Sequence, residues 1–95
     1  MRRVIWSAPA RADLAAMDDF FATIAPDVAD RIGRRAIAAG RFLAEHPFAG
    51  PEIDGGYRKW LIAGTAYLVI YRVNDDVVEI VRLYHGRESR EPGVR

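Results

Sequence analysis

The sequence has no cysteine, which excludes a disulfide scaffold and any thiolate metal or redox centre. Histidine is scarce. His46 and His85 are the only two, far apart and without acidic residues at ligand spacing, so no metal site is expected. Lysine is nearly missing: of 14 basic residues only Lys59 is lysine, and the rest are arginine, the side chain suited to bidentate contact with phosphate or carboxylate. Neither sign of charge dominates. The 14 Lys+Arg face 13 Asp+Glu, a net charge of +1, which argues against a bulk polyanion binder or a polybasic anchor. Long apolar runs are also wanting. Val4-Ile5-Trp6 follows Met1-Arg2-Arg3 but stops at Ser7, short of the roughly 7–15 residues of a secretory signal. No stretch reaches the roughly 18–20 apolar residues of a membrane span. Phosphate-loop, dinucleotide and nucleophile-elbow glycine patterns are lacking, so no cofactor is expected. These absences predict a cytoplasmic protein with no membrane partner.

What remains is a globular composition, with 51% hydrophobic and 28% charged residues over 95 positions, enough for one small domain spanning 1–95. Arg3 to Ser7 reads as a short strand. Ser7 fits an N-cap and Pro9 the first helical turn, after which Leu14, Met17, Phe20 or Phe21, and Ile24 recur at helical spacing. Pro26 restarts the chain, and Val28, Ile32, Ala36, Ala39 and Leu43 predict a second helix that His46-Pro47 stops. So short a connection predicts an antiparallel helical hairpin. Phe48 to Gly56 reads as loop. The apolar period then becomes two, giving strands over Tyr57–Ile62, Thr65–Val73 and Val77–His85, with turns at Ala63-Gly64 and Asn74-Asp75-Asp76. Residues 88–95 read as a loose polar tail. The order β-α-α-β-β-β predicts a two-layer α+β domain, its helical hairpin packed on one face of a small, mainly antiparallel sheet. The uncovered face and the loop before the second strand are where function is expected.

Cations and rings gather in the C-terminal half. Arg58 and Lys59 follow Gly55-Gly56, Tyr67 and Tyr71 share one face of the long strand, and Arg82, Tyr84, His85 and Arg87 close the chain's last strand. Such a set suits an RNA strand, with arginine on phosphate, tyrosine on bases and histidine moving a proton. Cleavage at a 2′-hydroxyl needs a base, an acid and cationic stabilisation, not a metal. Plain structural roles compete: Arg82 pairing with Glu79 or Asp13, His85 as a turn residue, the tyrosines as packing. Alternation along a regular strand also sends Arg82 and Tyr84 to one face and His85 and Arg87 to the other or off the sheet, unless a bulge or the turn at Gly86 redirects the chain.

The helices carry a second pattern. Asp13, Asp18, Asp19, Asp27 and Asp30 are the only charges in residues 13–30, and Arg31, Arg34, Arg35 and Arg41 the only ones in 31–41. This polarised hairpin is either two solvated faces or a surface for a partner of complementary charge. Ala36, Ala38, Ala39 and Gly40 are small enough for a partner helix to approach, and Phe20, Phe21 and Phe42 offer apolar area for another chain to cover.

Taken in order, these fragments resemble the RelE/ParE superfamily of toxins from bacterial type II toxin–antitoxin systems. The resemblance runs from Trp6, Ser7, Ala12, Asp13 and Leu14, through Leu43, His46, Pro47 and Gly50, to Gly56, Tyr57 and Arg58. It continues through Tyr67, Tyr71 and Arg72 to Ile80, Arg82, His85, Gly86 and Arg87. It implies a cognate antitoxin that folds on the toxin surface, with operator DNA reached only through that antitoxin. Leu14, Met17, Phe21, Val28 and Ile32 are expected to divide between core and antitoxin contact. Two targets follow from the two branches. RelE-like members cut mRNA on the ribosome, and that reading would employ Arg58, His85 and Arg87 as the catalytic set. ParE-like members poison DNA gyrase without chemistry of their own. Trp60 and Leu68 stand where the RelE pattern has cations, and no tyrosine follows Tyr84, whereas the LYHGRE ending resembles the ParE pattern. The expectation is a ParE-like gyrase poison contacting its target through Arg58, Lys59, Arg82, Tyr84, His85 and Arg87. The alternatives are a metal-free ribonuclease or a non-toxic interaction module.

Overall fold

In the computed structural model, which describes residues 2–87, the chain forms β1 (Arg3–Trp6), α1 (Ala8–Ala22), α2 (Pro26–Glu45), β2 (Glu52–Ile53), β3 (Tyr57–Leu61), β4 (Tyr67–Asn74) and β5 (Val77–His85). The expected tail at 88–95 lies outside the described residues. The sheet order is β1-β5-β4-β3-β2, with β1 parallel to β5 and every other pair antiparallel. This is the two-layer α+β plan expected, with one addition. The segment 48–56 is not all loop: Glu52 and Ile53 pair with Arg58 and Tyr57, and a 3₁₀ turn over Asp54–Gly56 reverses the chain. Gly55 and Gly56 both have φ of +82°, a conformation that a side chain disfavours, so the double glycine makes this reversal possible. A two-residue strand is too short to show an alternating pattern in sequence.

Ser7 caps α1 as expected. Its Oγ accepts from the Ala10 N–H at 3.2 Å and donates to the Val81 carbonyl at 2.8 Å, so one hydroxyl starts the helix and ties it to β5. Pro26 occupies the first turn of α2, and α2 turns Ile32, Ala36, Ala39 and Leu43 onto the sheet. There Ala36, Ala39 and Leu43 meet Val69 and Tyr71 of β4 and Val78, Ile80 and Leu83 of β5. The small residues thus face inward: Gly40 lies against Val4 and the Trp6 indole rather than a partner helix. The reason is clearance: along the middle of α2 the helix lies close to the sheet and to β1, where alanine and glycine fit, while the larger Ile32 and Leu43 fill the space toward its two ends. Ala38 is exposed, as the expectation required.

Tyr71 is a core residue, not rim packing. Its hydroxyl donates to the Pro47 carbonyl at 2.8 Å and accepts from the Gly50 N–H at 2.9 Å, carrying a polar anchor into the apolar interior. Burial raises the Tyr71 phenol pKa above its ordinary value, opposed by the Gly50 hydrogen bond and the nearby Arg58 charge.

Candidate functional site

The cations and rings singled out from sequence separate into two places. Arg58 points to the helix side of β3 and secures the loop before β2. Its guanidinium donates to the Gly50 carbonyl at 2.7 Å, lies 3.4 Å from Glu52, and stacks 5.1 Å from the Phe48 ring centroid. These contacts account for Arg58 as a structural clamp. Lys59 alternates to the opposite face, half-buried.

The second place is the far end of β4 and β5. Ile70 pairs with Arg82 but Tyr71 pairs with Ile80, so Val81 is an extra residue in β5. β1 accompanies β5 only as far as Ile80, and among the described residues no strand pairs with the rest of that edge. Asp13 of α1 completes it. Its carboxylate accepts from the Leu83 N–H at 2.9 Å and from Arg82 Nε and Nη2 at 2.7 and 3.0 Å. Of the two carboxylates weighed for Arg82, the partner is Asp13, while Glu79 pairs with Arg72 at 2.8 Å. Held in this way, the Arg82 guanidinium lies 4.9 Å over the Tyr84 ring.

His85 packs edge-on against Tyr67, with ring centroids 5.2 Å apart, and its Nδ1 accepts from the Arg87 N–H at 3.2 Å. An accepting Nδ1 places the proton of neutral imidazole on Nε2. The bulge precedes Arg82, so it does not bring Arg82 and His85 to one face of the strand. They nevertheless border a common cleft of about 340 Å³, because the cleft runs around the open edge of β5 between α1 and the strand end. Asp13, Phe20, Tyr67, Arg82, Tyr84 and His85 line it. Arg87 is exposed in the turn beyond. Arg58 is elsewhere: it pairs with Tyr71 and His85 with Tyr67, positions about 13 Å apart along β4. Asp13 itself carried no expectation as a site residue, because its role depends on a strand edge 69 positions away.

The other surface is a groove of about 730 Å³ between α1 and α2, on the side away from the sheet, lined by Leu14, Met17, Asp18, Asp30, Ile37 and Arg41 among others. Of the helix residues expected to divide between core and partner, Met17 and Ile32 are buried, and Leu14, Phe21 and Val28 are partly exposed. Phe20, Ile24 and Ile37 are more exposed than any of these. Among the described residues no group of acidic or histidine side chains is placed to hold a metal ion, and no helix is long and apolar enough to cross a membrane.

With this geometry in hand, the relatives are informative. The family model described as "ParE toxin of type II toxin-antitoxin system, parDE" matches residues 4–90. The chain belongs to that family of type II toxin–antitoxin toxins, within the RelE/ParE superfamily. It is 35% identical over 85 residues to Toxin RelE2 of Caulobacter vibrioides, covering 90% of this chain and 96% of that one. Its fold matches a structure described as the chromosomal ParDE TA system from P. aeruginosa, with a TM-score of 0.74 at 24% identity, again over 90% and 96% of the two chains.

Proposed function

We propose that this toxin is ParE-like: a cytoplasmic protein that inhibits DNA gyrase as a protein ligand and is neutralised by a small cognate antitoxin folding along the helical groove. The separation of Arg58 from His85 carries the reading. A general base and the cation that stabilises its phosphate must reach one scissile group, within about 3 Å of the reacting atoms. Here the two stand at opposite ends of β4, and Arg58 is committed to the loop it clamps. The family profile that spans the chain is that of a ParE toxin, which supports the same branch.

Two observations favour a second reading. The cleft at the end of β5 gathers a cation, two phenol rings and an imidazole, and the Caulobacter vibrioides relative carries the name RelE2. A ribosome-dependent ribonuclease would use Arg82, His85 and Arg87 from that cleft and its rim.

Mixing purified toxin with gyrase and supercoiled DNA tests the proposal. Accumulation of gyrase-linked cleaved DNA, or loss of supercoiling, is the expected result. Unaltered gyrase together with codon-positioned mRNA cuts after induction establishes the second reading instead. Unimpaired growth without antitoxin establishes a non-toxic interaction module.

A further inference from the structure

The groove between α1 and α2 is polarised along its length. At the hairpin end it presents Asp18 and Asp30, and further along α2 it presents Arg34 and Arg41, so acids and bases balance within one surface. Asp30 pairs with Arg34 in the same chain yet stays exposed enough to face a partner, and Asp18 and Arg41 mark the two extremes. Between them α2 offers Ile37, 43% exposed, and Gly33, where an added Cβ would meet nothing within 4 Å. A surface that is acidic at one end, basic at the other and apolar with a gap in the middle is its own complement under a two-fold rotation.

We infer that two copies of this chain associate through this groove, α2 against α2 in antiparallel orientation, in the toxin without its antitoxin. A two-fold axis midway between Arg34 and Ile37 sets Asp30 of one copy opposite Arg41 of the other, and the reverse. Asp30, Arg34, Ile37 and Arg41 fall on one stripe of α2, so this stripe faces its own image across the axis, at the roughly 8–10 Å separation of a packed helix pair. Ile37 of each copy then lies over the groove of its partner, and the two helical hairpins, stacked face to face, hide the apolar stripe left open in the monomer. The association goes beyond the toxin assignment. Only its consequence rests on the proposed antitoxin site: a helix that docks in this groove and a second copy exclude one another.

Sedimentation equilibrium of the purified toxin, from micromolar to about 0.1 millimolar concentration, tests the inference. The wild type should approach twice the monomer mass. Arg41→Asp and Asp30→Arg should each set like charges against each other across the axis twice, weakening association by roughly tenfold or more. Mixed in equal amounts, these two variants should regain a dimer, because every facing pair is then of opposite charge. That recovery depends on the axis itself and not on folding, which circular dichroism monitors in parallel. A wild type that stays monomeric throughout overturns the inference. So do single variants that dimerise as well as the wild type, or a mixture of folded variants that stays monomeric. The gyrase assay is indifferent to each of these outcomes, so a failure here and a failure of the functional reading are distinguishable.

Discussion

Asp13 and Arg82 lie 69 positions apart in the chain and are joined by two hydrogen bonds of 2.7 and 3.0 Å, while the same carboxylate accepts the Leu83 N–H at 2.9 Å. One side chain therefore does the work of a neighbouring strand at the edge that β1 leaves open. Asp13→Ala leaves that N–H and the guanidinium without their acceptor and should lower stability by about 1.5–3 kcal/mol. Partial solvent exposure of Arg82 keeps the loss in the lower part of that range. Asp13→Asn, which retains an oxygen for Leu83, should lose less. Urea denaturation of the three proteins checks the order.

Tyr71→Phe removes the hydroxyl between Pro47 and Gly50, strands two buried backbone groups, and should cost about 1–3 kcal/mol. The same residue sets an alkaline limit. Burial raises its pKa in the folded chain, so above the ordinary tyrosine value of about 10 the unfolded chain releases its proton first. The folded state then binds more protons, and stability falls as pH rises through that region. Comparing urea midpoints at pH values on either side of 10, the wild type should fall more steeply than Tyr71→Phe. Equal slopes would contradict the assignment.

Gly50 fits where no other residue does, because an added Cβ would lie 2.3 Å from the Lys59 carbonyl oxygen and 2.8 Å from the Tyr71 hydroxyl. Gly50→Ala should displace the loop and lower stability by about 1–3 kcal/mol or more. Thermal unfolding and loss of the buried tyrosine's near-ultraviolet signal report it.

His85→Ala and Arg87→Ala separate the two functional readings. If the toxin acts on gyrase without chemistry of its own, induction of either variant should still arrest growth or lose potency only a few-fold. Messenger RNA cut by the wild type and left intact by both well-folded variants, with toxicity abolished, would assign both residues to a catalytic site.

Leu14 lies partly exposed on the wall of the helical groove. Leu14→Asp should leave growth arrest in place while weakening neutralisation, read as arrest that persists when the antitoxin is co-expressed. Continued neutralisation would place the antitoxin elsewhere.

Periodicity, caps and turn residues made most of this architecture legible in advance. Ser7, Pro9, Pro26 and Pro47 mark the helices, and the change of period after Gly56 marks the sheet. Three things were illegible for physical reasons. β2 is too short to have a period. Whether Ala36, Ala39 and Gly40 meet the sheet or a partner helix depends on how closely α2 approaches the sheet, a tertiary quantity. The site divides as it does because Arg58 and Asp13 find partners through register and edge exposure, which no local pattern encodes. Arg82 could be set beside Asp13 or Glu79 from sequence, but neither the choice between them nor the removal of Arg58 from the group could be read there.

The parallel pairing of β1 with β5 also governs when the molecule can exist. The first strand of the described chain has its only strand neighbour in the last, and Ser7 waits for the Val81 carbonyl 74 positions later. Closing so large a loop is entropically costly and slow. At a synthesis rate of about 5–20 residues per second, a nascent chain spends seconds with β1 and the helical hairpin made but β5 missing. During that interval the cleft formed by β5 is absent while the hairpin is available. An antitoxin that recognises the hairpin could therefore engage the chain before the chain is competent to harm the cell that makes it.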